Sequence, residues 1–417
     1  MLRIVFICVL IMVCPLVSAQ VVQEKAPPAY IKSITFQGQT AQSQLPIIQL
    51  GQQLILEFDA LNGDEADFYY QIKHFDYNWE PSQLMQSEYL SGIDNQRIRD
   101  YENSFNTYQI YSHYTLRIPN AQTRGLKVSG NYMLFVYNDY DELVFSRKFM
   151  VQENMATVGV SVKRARDVRQ VETMQGLDII INSNNMRFNN PQQTVKTCII
   201  QNNNLHTAIS NVPPQYTLGS ELVYKYTDKI LFEGGNEYFY FENKDIRGAN
   251  AAIRYIELNE LYSNYLFTNA PRFNKPYTYN PDINGNFLIN AINTEKPAIE
   301  ADYAWIHFSL ILPELPKNES VYVYGNFNNY ALEDANKMVF NPANGLYEVP
   351  ILLKQGFYNY KYVVKNNQTG ALNESAISGS FWQTENDYKV VVYFRDLGGR
   401  YDRIVGVGEG NSTNISN

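Results

Sequence analysis

The chain has 417 residues, and at roughly 100–200 residues per domain this predicts two to four domains. Hydrophobic residues make up 45% of it, which allows a sizeable core and argues against global disorder. The formal net charge of −8 argues against a nucleic-acid-binding protein, which would normally carry a basic face, and against adsorption to an anionic membrane. The 33 Tyr and 22 Phe suit the half-buried surfaces of β-sheets.

The N-terminus has the pattern of a secretory signal peptide. Arg3 precedes an apolar run over residues 4–17, and the small residues Ser18 and Ala19 follow it. A short positive region, an apolar stretch and a small-residue site predict a signal peptide over residues 1–19, cleaved after Ala19. Lipidation at Cys14 is the alternative, but Val13 stands before it where a small residue is expected.

The cysteines predict a protein without disulfides. Cys8 and Cys14 leave with the signal peptide, so the mature chain keeps Cys198 alone. Its strand-like neighbours predict a buried, inert thiol. No later run is long and apolar enough to span a membrane as a helix, so we expect a soluble exported protein without direct membrane insertion.

Alternating apolar residues predict many short strands. Leu54, Leu56 and Phe58 alternate with acidic residues, and residues 132–137 are apolar on both faces, as in a central strand. Breaks in the pattern divide the chain into an N-terminal sandwich over 20–154, a second sandwich over 155–298, and a third domain over 299–400. The Gly-, Ser- and Asn-rich segment 401–417 is predicted to be disordered. The predicted fold class is all-β, with tandem antiparallel immunoglobulin-like sandwiches.

The motifs of enzymes and metal sites are missing from the sequence. None of the four His sits in a nucleophile-elbow context, and no close pair of metal ligands or Gly-rich phosphate loop occurs. The most suggestive acidic pair is Asp76 and Glu80 beside Trp79, which a glycosidase could use, although Trp79 is equally typical of a core anchor. We therefore predict no catalytic residues, no metal, no cofactor and no small-molecule substrate.

One basic cluster stands out against the acidic background. It consists of Lys163, Arg164, Arg166 and Arg169. Such a cluster can dock an acidic partner surface, although a run of charges is more often a solvated face. These four residues are the predicted partner-binding candidates.

A series of fragments in the first 300 residues resembles a known family. The fragments are His74–Ser82, Glu88–Gly92, Asn103–Thr107, Tyr111–Tyr114, Ile118–Asn120, Ser129–Tyr132 and Arg147–Val151. In order and spacing they resemble the plug protein family of the type IX secretion system, although Phe75 stands where that family often has Cys. The resemblance implies a non-catalytic periplasmic subunit, peripheral to the outer membrane, that binds the translocon β-barrel and closes its pore.

The third block has a weaker resemblance of its own. The runs Val321–Tyr330, Asn344–Glu348 and Gly356–Tyr362 are similar to early-set immunoglobulin modules related to glycogen-binding domains. Those modules often stack an aromatic side chain on sugar where Tyr330 stands. The alternative function is therefore polysaccharide binding, with Trp79, Tyr330 and Trp382 as stacking platforms.

Overall fold

The computed structural model describes residues 21–38, 45–183 and 186–415. The predicted signal peptide, with Cys8 and Cys14, lies outside the described residues. Strands make up about half of the described chain and helices very little, and most strand pairs are antiparallel within packed sheets, which confirms the predicted all-β sandwich class. Short helices interrupt the strands at α1 (Gln86–Tyr89), α2 (Pro191–Thr194) and α3 (Pro297–Glu300). No helix in the described ranges is long and apolar enough to cross a bilayer.

An N-terminal sandwich contains the first eleven strands: β1 (Ile31–Gln37), β2 (Ile47–Gln49), β3 (Leu54–Ala60), β4 (Phe68–Phe75), β5 (Leu90–Gly92), β6 (Gln96–Arg97), β7 (Asp100–Asn103), β8 (Ser112–Ile118), β9 (Thr123–Leu126), β10 (Gly130–Asn138) and β11 (Leu143–Gln152). One sheet has the order β1-β3-β8-β7, and it packs on the run β11-β10-β4-β6 of a larger sheet. The predicted alternation holds, because Leu54, Leu56 and Phe58 all face the core between the sheets.

The next seven strands are β12 (Ala156–Arg164), β13 (Met174–Ser183), β14 (Val195–Gln201), β15 (Asn204–Ser210), β16 (Tyr216–Leu218), β17 (Glu221–Tyr224) and β18 (Leu231–Glu233). Five of them form one sheet with the order β12-β13-β17-β16, in which β18 also pairs with β13. Cys198 is buried in β14, and burial raises the pKa of its thiol to about 11. The predicted burial is confirmed, and the raised pKa favours the protonated, less reactive thiol.

A further ten strands form a C-terminal sandwich: β19 (Phe239–Glu242), β20 (Ile253–Leu258), β21 (Tyr262–Leu266), β22 (Phe287–Ile289), β23 (Tyr303–Ile311), β24 (Glu319–Tyr324), β25 (Val339–Asn341), β26 (Leu346–Lys354), β27 (Gly356–Asn366) and β28 (Leu372–Asn373). One sheet is built around the long strand β27, and the other has the order β20-β21-β23-β26-β25. The sandwich thus begins well before residue 299. The predicted domain boundary at residue 299 therefore excludes several strands that belong to this sandwich. The first of them, Phe239–Glu242, pairs directly with β27.

The last two strands, β29 (Asp387–Phe394) and β30 (Arg403–Asn411), return to the middle of the molecule. They join β14 and β15, and β30 then pairs parallel with β11, so one nine-stranded sheet serves both the N-terminal and the middle sandwich. The prediction that 401–417 is disordered is wrong for the described part of that segment. Ile404 and Val405 are fully buried there.

Glycine in β30 has a packing role. Gly406, Gly408 and Gly410 face β12, which crosses closely over them. A Cβ atom at Gly408 would lie 2.5 Å from the Val158 carbonyl oxygen and 2.6 Å from its Cγ1. The alternating glycines therefore allow two backbones to approach, and the composition that is typical of a mobile tail belongs here to a core strand.

Buried and partly buried polar contacts connect the sandwiches. Between the N-terminal and middle sandwiches, Arg395 binds both oxygens of Asp402 and also Asp76, at 2.7 Å in each ion pair. Between the middle and C-terminal sandwiches, Tyr330 donates its hydroxyl hydrogen to the Asn202 carbonyl at 3.0 Å. Each sandwich is thus held by specific groups of its neighbour.

The glycine contact generates a stability prediction. Gly408→Ala should destabilise the protein by about 1–3 kcal/mol, because the added methyl group overpacks the β12–β30 contact. A lower midpoint in thermal or urea unfolding measures this. Gly159→Ala is the matched control on β12, since the nearest atom to its Cβ would be 3.8 Å away. Equal midpoints for the two variants would contradict the close-approach role.

Candidate interaction site

The loop between β7 and β8 presents apolar side chains to solvent. Phe105 is 67% exposed, Tyr108 52% and Ile110 63%. Three large, exposed apolar side chains within seven residues are the kind of surface feature that marks an interaction site. We call residues 104–110 the apolar loop.

The backbone of the apolar loop is held by the C-terminal sandwich. The two carboxylate oxygens of the buried Asp302 accept hydrogen bonds from the backbone N–H groups of Tyr108, at 2.7 Å, and Gln109, at 3.1 Å. The Phe105 N–H donates to the Ile299 carbonyl at 2.9 Å. The loop backbone is therefore ordered in the free protein. These hydrogen bonds hold the backbone against the C-terminal sandwich, and the apolar side chains remain exposed to solvent.

An acidic turn with the exposed residues Asp64 and Glu65 borders the apolar loop. Glu65 accepts hydrogen bonds from the Tyr101 hydroxyl at 2.8 Å and from the Asn103 amide at 2.6 Å. The turn that contains Glu65 also contacts the apolar loop. Gly63, in this turn, lies so close to Ile110 that a Cβ atom added to it would be 2.7 Å from the Ile110 Cγ2. An apolar centre with a charged rim has the anatomy of a protein–protein interface. The acidic rim would repel an anionic lipid surface.

A buried ion pair lies beneath the apolar loop. Asp59, on β3, accepts hydrogen bonds from the Lys354 ammonium and the Tyr303 hydroxyl at 2.6 Å each, and it pairs with the Nδ1 of His113 at 2.7 Å. The ammonium also lies 4.1 Å from the centre of the Tyr111 ring, which directly follows the loop. These contacts join the N-terminal sandwich to the C-terminal one.

The electrostatics of this cluster favour the ionised carboxylate. Burial alone would raise the pKa of Asp59, but the charge of Lys354 and the hydrogen bond from His113 outweigh burial and bring the pKa below its ordinary value of 3.8. A buried carboxylate with three hydrogen-bonding partners is satisfied, whereas either ion left alone at this depth would be strongly unfavourable.

The predicted basic cluster is largely paired within its own hairpin. Lys163 binds Asp178, Arg164 binds Glu172, and Arg169 binds Asp167. Arg166 is exposed, and no carboxylate of the described chain lies within ion-pair distance of it. The turn is therefore closer to charge balance than the sequence suggested, and its docking role stays a prediction.

The three predicted sugar platforms are occupied by the protein itself. Tyr330 is only 2% exposed and its hydroxyl binds Asn202, so it is not a surface platform, contrary to prediction. The ring of Trp79 is covered by the Lys148 ammonium at 4.5 Å, and that of Trp382 by the Arg164 guanidinium at 4.5 Å. Trp79 and Tyr330 do line one common cavity.

The groups considered for catalysis are placed in structural contacts. Asp76 is bound by Arg395. His74 is hydrogen-bonded to Ser82 at 2.8 Å and to the Ser129 carbonyl at 3.2 Å, and burial lowers its pKa to about 4. His307 stacks on Tyr265 with ring centres 4.0 Å apart. Within the described ranges, no group of three or more His, Cys, Asp or Glu is placed to hold a metal ion.

Sequence reasoning missed the apolar loop. Phe105 stands inside a fragment used for the family resemblance, but a Phe, a Tyr and an Ile in a β-rich chain are typical of core residues. The one available signal is that residues 104–110 lack strict alternation, which sets these apolar residues apart from the strands. Their exposure depends on Asp302, nearly 200 positions away in the sequence.

Comparison with known proteins identifies the first part of the chain. Residues 31–153 match the family model described as Type 9 secretion system plug protein 1st domain. This range covers the N-terminal sandwich, including the apolar loop and Asp59. The match associates the protein with the type 9 secretion system, through a family of plug proteins for which no catalytic activity is indicated.

A solved structure covers nearly the whole chain. A hypothetical protein from Parabacteroides merdae is 32% identical, superposes with a TM-score of 0.89, and aligns over 93% of this chain and 98% of its own. The chain belongs to the same family as that protein. A marsupial T cell receptor, at 12% identity, aligns over 82% of this chain and 98% of its own, but with a TM-score of 0.17, which supports no argument about the fold. No curated protein matches the chain.

The role of Asp302 can be tested by hydrogen exchange. Asp302→Ala should speed exchange of the Tyr108 and Gln109 amides by about tenfold or more, because both lose a charge-assisted hydrogen bond. Mass spectrometry of peptides that span the apolar loop measures this. Asp100→Ala, at an exposed carboxylate on β7, should leave those rates unchanged; equal exchange in both variants would mean that Asp302 does not order the loop.

The buried ion pair can be tested by unfolding at several pH values. Asp59→Asn should cost about 3–5 kcal/mol at pH 7, because Lys354 then stays buried without its counter-ion. Since the folded pKa of Asp59 lies below its unfolded value of about 3.9, this stabilisation is complete above that value and is lost as the pH falls through the folded pKa. The gap between wild type and variant should therefore narrow only below about pH 4.

A double variant separates the ion pair from general packing. Asp59→Asn combined with Lys354→Met should be more stable than Asp59→Asn alone, because the uncompensated charge is gone. A double variant that is less stable by the sum of both single losses would show that the two groups do not interact.

Proposed function

We propose that this protein is a non-catalytic periplasmic subunit that binds the outer-membrane translocon barrel of the type IX secretion system and closes its pore while no cargo passes. The observation that carries the proposal is the match of residues 31–153 to the first domain of the plug proteins. The interaction geometry of that same domain supports it, since the apolar loop lies within the matched range.

The arrangement of three connected sandwiches is suited to blocking a pore. A sandwich of about 130 residues has a diameter on the order of 35 Å, and three such bodies held pairwise make a wide, rigid object. The contacts that hold them are buried polar networks such as the one around Asp59. An object of this kind blocks a pore by its bulk, and it needs no reactive group to do so.

The apolar loop is the contact surface that we assign to the barrel. Its backbone is held in place in advance by Asp302 and Ile299, so binding costs little backbone conformational entropy. Its acidic rim favours a basic border on the partner. Because the patch is small and its rim is polar, the contact can be released, as a plug requires. Arg166 and its neighbours provide a second proposed contact.

The barrel contact can be tested by co-purification. Changing Phe105, Tyr108 and Ile110 together to Asp should abolish recovery of the large outer-membrane barrel with the tagged protein, and it should make the outer membrane permeable to large solutes. The fold should survive because all three side chains are more than half exposed. A circular-dichroism melt equal to that of the wild type checks this.

A matched control separates the loop from exposed apolar residues in general. Tyr140→Asp changes a 79% exposed Tyr in another turn of the same sandwich and should leave both readouts unchanged. Normal co-purification by the triple variant would remove the loop from the proposal. Failure of the wild-type protein to recover any outer-membrane barrel would overturn the plug function itself.

A further inference from the structure

A cavity lies where the three sandwiches meet. Its volume is about 570 Å³, which falls within the range of small-molecule sites. The N-terminal sandwich contributes Trp79 and Lys148, the middle sandwich contributes Leu205 and Ser210, and the C-terminal one contributes Asn329. A molecule in this cavity would touch all three bodies at once.

Lys148 brings a buried positive charge to the cavity wall. It is only 8% exposed, and within the described ranges its ammonium has neither a hydrogen-bond acceptor nor a carboxylate at ion-pair distance; its contact is the Trp79 ring. Glu24 lies near enough to act on the Lys148 charge electrostatically, but its oxygens accept hydrogen bonds from the Lys148 backbone N–H at 2.6 Å and from the Asn329 amide at 2.8 Å rather than from the ammonium.

Arg147 adds a second buried cation to the same wall. It is 7% exposed, and its one hydrogen bond to the described chain goes to the Ser146 carbonyl at 2.9 Å. Buried ions are ordinarily paired and hydrogen-bonded. The carboxylates Glu24 and Glu333 also line the cavity and act on these cations from a distance. Within the described residues neither carboxylate forms an ion pair with Arg147 or Lys148, so the two cations can still bind an anionic ligand directly.

The rest of the wall indicates what else the ligand carries. Asn78, Asn203, Asn211 and Ser210 line the cavity, and amide and hydroxyl side chains both donate and accept hydrogen bonds, as a polyol requires. Leu205 and Ala208 supply an apolar surface for C–H groups. We propose that the cavity binds an acidic sugar, whose carboxylate pairs with the Lys148 ammonium and whose hydroxyl groups meet the amides.

Calorimetric titration of the full mature protein tests the site. D-galacturonate should bind, and D-galactose, which lacks the carboxylate, should bind at least about tenfold more weakly, since a charged hydrogen bond is worth about 1.5–3 kcal/mol. Galacturonate should also raise the melting temperature, because it binds the folded state alone. A digalacturonate arm distinguishes a free sugar from the end of a polysaccharide chain.

Variants assign the effect to Lys148. Lys148→Met and Lys148→Gln should each weaken galacturonate binding by about tenfold or more, and they should fold, because both remove an unpaired buried charge. Lys127→Met changes an exposed lysine bonded to the Ser87 carbonyl and should bind normally. Absence of galacturonate binding by the wild type, equal binding of galactose or acetate, or full binding by both Lys148 variants would each overturn the proposal.

Discussion

The position and exposure of the apolar loop depend on the ion pair between Asp59 and Lys354. It joins two sandwiches whose strands do not pair with each other, and it does so with a charge that neither sandwich could bury alone. Tyr303 and His113 complete the coordination of the carboxylate, so the geometry has little freedom. The apolar loop follows from it: Tyr111 packs under the ammonium, and Asp302, next to Tyr303, then faces the loop backbone. Exposure of the loop is thus a consequence of a buried charge.

The three sandwiches form a closed set of contacts. The N-terminal and middle bodies share one sheet, the N-terminal and C-terminal bodies share the ion pair, and the middle and C-terminal bodies share hydrogen bonds such as that from Tyr330 to Asn202. To move one body, two different sets of contacts would have to break, so the three sets together oppose hinge motion. Three convex bodies that touch pairwise also leave a space between them, which accounts for the central cavity and for the burial of Lys148 beside it.

Much of the local structure could be predicted from the sequence, because side-chain alternation is a local signal. The strand containing Leu54, Leu56 and Phe58 and the doubly buried strand near Tyr132 both lie where their patterns indicated. Partnership between distant strands could not be predicted. No local sequence pattern indicates that Ile404 pairs with Gln152. Glycines that allow two strands to pack closely cannot be distinguished in the sequence from glycines of a mobile tail. The exposed residues of the apolar loop were missed for the same reason, because burial of a side chain depends on which distant segment packs against it.

The energetics of the apolar loop are those of a reversible contact. Full burial of a large apolar side chain contributes about 1.5–3 kcal/mol. Because Phe105, Tyr108 and Ile110 are 67%, 52% and 63% exposed, burying the remainder contributes roughly 3–5 kcal/mol in total. Association costs an estimated 4–15 kcal/mol in lost translational and rotational freedom, which leaves little net affinity for the loop alone. Preordering by Asp302 removes the further cost of organising the loop. The gain from apolar burial is thus at most similar in size to the cost of association. The loop therefore binds its partner when the acidic rim or a second surface contributes further affinity, and it dissociates when that contribution is lost, as a removable plug requires.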